Sequence, residues 1–338
     1  MNFRIDRWSA AALRSSLVAV TVAGSLLLAS CGGGSGSTYV PTRLIVFGDE
    51  FSVLTQPSTA YALDAKKYSI NGFTPGSVPL APDCYSNPLW IQSIADRFGL
   101  VFAECNEYEL PPTAFIKARA GAKVADVVSQ IDDFLASSEG TLVKSDLVTV
   151  MVGTNDVIEL FGRVRSADMS EDEAVAEAEA RGRLLAAQFD KLTNDKNTQA
   201  RALYVLIPNV GDSPYGYEQE VLLPGSRALL RRLTFQQKGG TFEGFNDAIR
   251  STIKVNGRSR GQVNADSGFQ NYVDNPGTLN VADAACLVGT PILNCTTSTL
   301  QPTANETTWL WAKDRYFGPL GHALLASGAF YIINNNPF

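Results

Sequence analysis

The 338-residue sequence holds a single histidine, His322, and five cysteines, none spaced as CxxC. No zinc ribbon or dithiol redox pair is therefore expected, and neither a metal nor a cofactor is anticipated. No Lys/Arg run with interleaved aromatics is present, and the formal net charge is −6. Both features argue against a nucleic-acid partner, while mild acidity by itself speaks only to solubility. Beyond the first thirty residues no stretch is long and apolar enough to span a bilayer. Beyond residue 40 there is no low-complexity linker, and nowhere an internal repeat. What remains, 45% hydrophobic and 18% charged, suffices for a full globular core.

The amino terminus reads as a targeting segment. Arg4, Arg7 and Arg14 precede the apolar stretch "SLVAVTVAGSLLLAS", the layout of a secretory signal. It ends in Leu28-Ala29-Ser30-Cys31, which resembles a bacterial lipobox. That resemblance implies a diacylated Cys31 as the mature amino terminus, with "CGGGSGS" as a flexible tether and the membrane as a partner through the lipid chains. Gly32 rather than Asp at the next position implies the outer membrane of a bacterial envelope. The expected organisation is a signal peptide over 1–30, a tether over 31–40 and one domain over 41–338. In an exported chain the other four cysteines, Cys84, Cys105, Cys286 and Cys295, are expected in disulfides. Of the three possible connectivities, the two sequence-local pairs, Cys84–Cys105 and Cys286–Cys295, close modest loops and are preferred.

Residues 43–47, "RLIVF", form a continuous apolar run ending at Gly48, as in a strand buried on both faces. Similar runs recur at 146–153 and 202–210, with a weaker one at 261–267. Helical patterns lie between them at 88–99, 123–138, 171–194 and 242–253, and another spans 321–333. The third has a capping-box start, Ser170 standing three residues before Glu173. This alternation predicts a three-layer α/β/α domain around a parallel sheet. In such sheets ligands bind outside the carboxyl ends of the strands, which directs attention to "GDEFS", "GTND", "NVGDSPYG" and the loop entering the last helix.

Four blocks in order then resemble the GDSL/SGNH hydrolase family, which includes exported bacterial lipases and esterases. "FGDEFS" (47–52) is similar to its nucleophile block, with Glu50 at the serine position. "KARAGAKV" (117–124) resembles the second block, which implies Gly121 as an oxyanion-hole amide, although Ala120 stands where a second glycine is common. "VGTND" (152–156) places Asn155 on the oxyanion-hole asparagine. "WLWAKDRYFGPLGHALLA" (309–326) aligns with the final block and puts Lys313 and Tyr316 on the catalytic Asp and His positions. The resemblance implies a flavodoxin-like sheet and ester-hydrolase ancestry. His322 falls on the histidine that opens the last helix, six residues past the catalytic position, and is expected to pack or cap rather than act as base.

Serine hydrolysis needs a hydroxyl activated by an imidazole, which a carboxylate orients. Here all three positions differ. Triad removal leaves a residual acceleration of about 10³–10⁴ over water, so a weak esterase background would not establish evolved catalysis. Glu50 could act as a base or nucleophile, but no second carboxylate is evident at a useful position, and Asp49 is expected to turn away into structural hydrogen bonds. Ser52 is another hydroxyl without a nameable base. The expected arrangement is a polar plug, with the Glu50 carboxylate aimed at the Gly121 amide and Asn155, held by Lys313 and flanked by the Tyr316 hydroxyl. The leading functional reading is an envelope lipoprotein that has lost hydrolysis and binds an acyl or glycan ligand or serves as a scaffold. The alternatives are an active ester hydrolase whose non-standard centre uses Glu50, and a purely structural spacer. Loops 50–86, 211–240 and 268–308 are the expected walls of any cleft. Their aromatics, Tyr61, Tyr68, Tyr85, Tyr215, Tyr217, Phe269 and Tyr272, suit either ligand contact or packing.

Overall fold

The computed structural model describes residues 39–193 and 200–335; the signal segment, Cys31 and the tether up to residue 38 lie outside them. The strands are β1 (Arg43–Gly48), β2 (Gly72–Phe73), β3 (Pro82–Asp83), β4 (Ala114–Ile116), β5 (Asp146–Met151), β6 (Arg201–Val205), β7 (Gln236–Lys238), β8 (Thr241–Glu243), β9 (Arg260–Val263), β10 (Asn280–Ala284), β11 (Trp309–Lys313) and β12 (Tyr316–Phe317). The helices are α1 (Trp90–Arg97), α2 (Val124–Ala136), α3 (Thr154–Arg165), α4 (Glu171–Leu192), α5 (Pro214–Leu222), α6 (Ser226–Thr234), α7 (Phe245–Thr252), α8 (Ala265–Asp274) and α9 (Pro319–Asn335).

Five strands form one parallel sheet in the order β4-β1-β5-β6-β9. Helices cover both faces, making the fold a three-layer α/β/α sandwich: α1 and α8 pack on α9, whereas α2, α3 and α7 pack on α4. The continuous apolar runs are explained by this burial. Leu44, Ile45, Val46 and Phe47 are inaccessible to solvent, as are Leu147 and Val148 in β5. Each such side chain contributes about 1.5–3 kcal/mol of transfer free energy. The chain leaves β1 toward β4 on one side and reaches β5 on the other, so a topological switch point lies at the carboxyl ends of three adjacent strands.

Local signals act as the sequence indicates at α4. Ser170 Oγ accepts from the Glu173 amide at 3.3 Å, and the Glu173 carboxylate accepts from the Ser170 amide at 2.8 Å. The weak run at 261–267 needs correction. The strand stops at Val263, because the Asn264 carbonyl accepts from the Gly268 amide and starts α8. The expected loop over 211–240 is mostly helical. Pro214 occupies the first turn of α5, where its missing N–H has no role, behind the N-cap Ser213.

A second sheet, β10-β11-β12, flanks the carboxyl end of the molecule's sequence, and β11 and β12 form an antiparallel hairpin. The disulfides Cys84–Cys105 and Cys286–Cys295 are both formed. The segment between Lys67 and Asn71 ties their loops together. Lys67 Nζ donates to the carbonyls of Cys84 (3.0 Å) and Ser86, and the Asn71 amide donates to that of Cys295 at 2.8 Å. Ser69 Oγ donates to the Phe317 carbonyl at 2.8 Å. Lys67 is fully buried, and burial lowers its pKa to about 7. Among the described residues no helix is long and apolar enough to cross a membrane.

Candidate functional site

The site begins where β1 ends. Gly48 has φ +143°, and a Cβ there would lie 2.1 Å from the Met151 carbonyl oxygen of β5, so only glycine permits this close strand exit. The buried amide of Gln130 in α2 grips the same residue twice, accepting from the Gly48 N–H and donating to its carbonyl, each at 3.0 Å. Asp49 follows, fully buried. Its Oδ1 accepts from the Phe51 amide at 3.3 Å, whereas Oδ2 has no partner. Burial first, and then the adjacent Glu50 charge, hold its carboxyl well above the usual carboxylate range. The structural role expected for Asp49 is thus met on one oxygen only.

Glu50 opens a short 3-10 turn and is 1% exposed. Its Oε2 accepts from the Gly121 amide at 2.8 Å and from Asn155 Nδ2 at 2.9 Å. The three residues follow β4, β1 and β5, which are neighbours in the sheet, Asn155 standing in the first turn of α3. Asn155 is steadied by donating also to the Ala122 carbonyl at 3.1 Å. Its neighbour Asp156 accepts from the Val124 amide at 3.0 Å and from Arg181 at 3.1 Å, linking α2, α3 and α4. Burial, opposed by Arg181, raises the Asp156 pKa to about 6. Arg181 and Lys123 also share Glu159.

The expected Glu50–Lys313 ion pair does not form. Lys313 Nζ donates instead to the Thr290 carbonyl, in the loop closed by the Cys286–Cys295 disulfide. The cation facing Glu50 is Arg315, whose Nη2 lies 3.3 Å from Oε1 and 3.4 Å from Asn155 Oδ1. The reason is the β11–β12 hairpin. Its two-residue connection, Asp314-Arg315, has a left-handed φ of +39° at Asp314, and it carries Arg315 rather than Lys313 to the strand exits. An ungapped count along the final block could not anticipate that turn, although the Lys-Asp-Arg-Tyr spacing offers a second cation two residues along.

Tyr316 takes part by packing. No hydrogen bond joins its hydroxyl to Glu50; its ring lies 4.6 Å from the Arg315 guanidinium and 5.9 Å from the Tyr68 ring. Burial, reinforced by Glu50 and opposed by Arg315, pushes its pKa up to about 12. Phe51 and Phe317 pack with their rings tilted, centroids 4.6 Å apart. Ser52 is fully buried and accepts from Trp90 Nε1 at 3.1 Å. His322 is also fully buried, edge-on to Phe317 at 5.6 Å, with neither ring nitrogen bonded. Burial lowers its pKa to about 3, so it is neutral at physiological pH and packs, as expected, without capping through its ring. Among the described residues no group of three or more His, Cys, Asp or Glu is placed to hold a metal ion.

Chemically, the cluster is a carboxylate satisfied from within. One oxygen takes two donors, each worth about 1.5–3 kcal/mol for a charged acceptor, and the other faces a guanidinium. A carbonyl oxygen from outside cannot reach the same two donors while Glu50 occupies them. No hydroxyl in the cluster is hydrogen-bonded to a group able to take its proton.

No protein-family model and no curated protein matches the sequence. Among solved structures, the chain is similar to a member of the lipolytic G-D-S-L family from Veillonella parvula (10% identity over 86% of this chain and 97% of that one, TM-score 0.39). It is also similar to a lipase from a goat rumen metagenome (8% identity, 85% and 95%, TM-score 0.45). A third is an acetylxylan esterase from Geobacillus stearothermophilus, solved as a catalytic mutant (13% identity, 87% and 94%, TM-score 0.42). At these identities the likeness concerns the chain's path.

Proposed function

We propose that this protein is a non-hydrolytic envelope lipoprotein with an esterase/lipase-like fold, held to the outer membrane through Cys31, which uses the former active-site face to bind a ligand. The observation that carries this reading is the double hydrogen bond from the Gly121 amide and Asn155 Nδ2 to Glu50 Oε2. On the family resemblance these are the donors that stabilise a developing oxyanion. A resident carboxylate there is a permanent competitor for the reacting carbonyl. The alternative of an ester hydrolase using Glu50 has the same geometry against it. Whatever Glu50 Oε1 could accept, its Oε2 already holds the two donors that a reacting carbonyl would need.

The test is labelling of the purified mature chain with a fluorophosphonate, alongside hydrolysis of a short-chain p-nitrophenyl ester. The expected result is no stoichiometric labelling and a rate within the background left by serine hydrolases without their triad. Stoichiometric labelling of any serine, or ester turnover abolished by Glu50→Ala, would overturn the reading. Incorporation of labelled palmitate that is lost in Cys31→Ser tests the anchor separately.

A further inference from the structure

We infer that the pole of the domain at the amino ends of the sheet strands is a docking surface for a bilayer with anionic headgroups, which turns Glu50 away from the membrane. For its orientation this rests on the Cys31 anchor proposed above.

A parallel sheet gathers at one end the segments that enter its strands. Here Arg43 stands opposite Asp146, Leu147 opposite Arg201 and Ala202 opposite Arg260, which sets the starts of β1, β5, β6 and β9 side by side. The chain also enters there. Tyr39 Oη donates to the Asp146 carbonyl at 2.8 Å, and the Arg201 guanidinium lies 3.9 Å from the Tyr39 ring centroid. Cys31 stands eight residues before Tyr39, a covalent reach of no more than about 30 Å. The strand exits that carry Glu50 lie about 17–20 Å farther on, the length of a five- or six-residue strand. Lipid chains on Cys31 therefore favour the entry pole as the end nearest the bilayer.

The side chains of this pole suit an anionic surface. Lys144 precedes β5, and Lys254 and Arg258 precede β9; all three are exposed, with no ion-pair partner among the described residues. The neighbouring acids are already paired, Asp146 with Arg43, Asp190 with Arg260 and Glu139 with Lys117. Among these cations Val40, Val143 and Val255 are 59%, 48% and 45% exposed. Cations interleaved with aliphatic side chains match the boundary between headgroups and acyl chains. Exposed aliphatics elsewhere lack this company. Val78 and Val288 stand in the stretches 68–96 and 261–312, neither of which contains a Lys or Arg. In a chain of net charge −6, three unpaired cations grouped where the tether joins supply the charge complementarity that anionic lipid requires.

The experiment places the lipidated mature chain on vesicles of phosphatidylcholine, alone or with an equal part of phosphatidylglycerol. A fluorophore is attached at Val255→Cys or at Val288→Cys, and nitroxide-bearing lipid is the quencher. Quenching is expected at the first label on the anionic vesicles and not at the second, whose loop Lys313 holds beside the hairpin. Lys144→Gln, Lys254→Gln and Arg258→Gln together are expected to reduce it to the level on neutral vesicles. High salt, which screens exposed charges without any substitution, should do the same and covers the case in which that variant is not folded. Equal quenching of the two labels, stronger quenching at Val288→Cys, or quenching indifferent to lipid charge and salt would each overturn the inference. Palmitate incorporation without the expected quenching would sink only this surface. Absence of palmitate would sink the anchor, and the unlipidated chain is then spun with both kinds of vesicle. Sedimentation with the anionic vesicles alone, weakened more than tenfold by the triple substitution because each cation contributes about fivefold, would uphold the surface. No sedimentation would overturn it.

Discussion

The two halves of the site are built in different ways. The strand-exit half, which follows β4, β1 and β5, is overdetermined: Gly48 is pinned by Gln130, Asn155 by Ala122, and Asp156 by Val124 and Arg181. The hairpin half touches Glu50 through a single guanidinium at 3.3 Å, itself resting on Tyr316. The first half brings together the two donors expected from its sequence blocks, the Gly121 amide and Asn155 Nδ2. In the second, the positions counted as acid and base hold Lys313, directed elsewhere, and Tyr316, packed against Arg315. The strand exits are held by the sheet and by the helices packed on it. The hairpin owes less to either.

Substitutions can break this comparison. The largest effect is expected on the pinned half, from Arg181→Met. It leaves the buried Asp156 carboxylate without its cation, a loss of about 3–5 kcal/mol, readable as a fall in the urea midpoint. A pH arm sharpens the same point. Asp156 has a folded pKa raised from 3.8 to about 6, so the folded state binds its proton more tightly than the unfolded chain does. Its contribution to stability is therefore greatest below about pH 4 and declines as pH rises to 6. Asp156→Asn is expected to remove that part of the slope.

On the hairpin half, Arg315→Met should cost less, about 1–3 kcal/mol, because Glu50 keeps its two donors. Lys313→Met should cost about 1 kcal/mol or less, since it loses one half-buried bond to a loop carbonyl. Reversal of that order, measured by chemical denaturation, would restore Lys313 as the partner of Glu50. The effect of His322 is confined to acid. Its folded pKa of about 3 against an ordinary 6.5 means that it binds no proton in the fold where the unfolded chain would. Stability is thus lost as pH falls from 6.5 toward 3. The one imidazole spectrum by NMR should not move between pH 8 and 5; a titration near 6.5 would contradict its burial.

The sheet was legible because β1 and β5 are buried on both faces and must be apolar throughout. The edge strand β4 was not, since three residues, Ala114–Ile116, carry no periodicity. The carboxylate's destination was readable only through the family resemblance, which implied Gly121 and Asn155 as oxyanion donors. Its cation was not, because a positive φ at Asp314 decides which side chain reaches Glu50, and nothing in residue type announces that turn at a non-glycine. Gln130 and Arg181 escaped notice for a related reason. Each looks like an ordinary polar residue of an amphipathic helix, and only the folded chain brings it to Gly48 or Asp156. Helices α5 and α6 were hidden by the Pro and Gly that begin them.

The central claim is that the Gly121 amide and Asn155 Nδ2 are both committed to the Glu50 carboxylate. The most direct test compares the ¹H–¹⁵N spectra of the wild-type protein and Glu50→Ala. The account expects the Gly121 amide proton and one Asn155 side-chain proton to move upfield together when the carboxylate is removed, with Gly48 and Gln130 unchanged. Gly121 and Asn155 resonances indifferent to the substitution would contradict it.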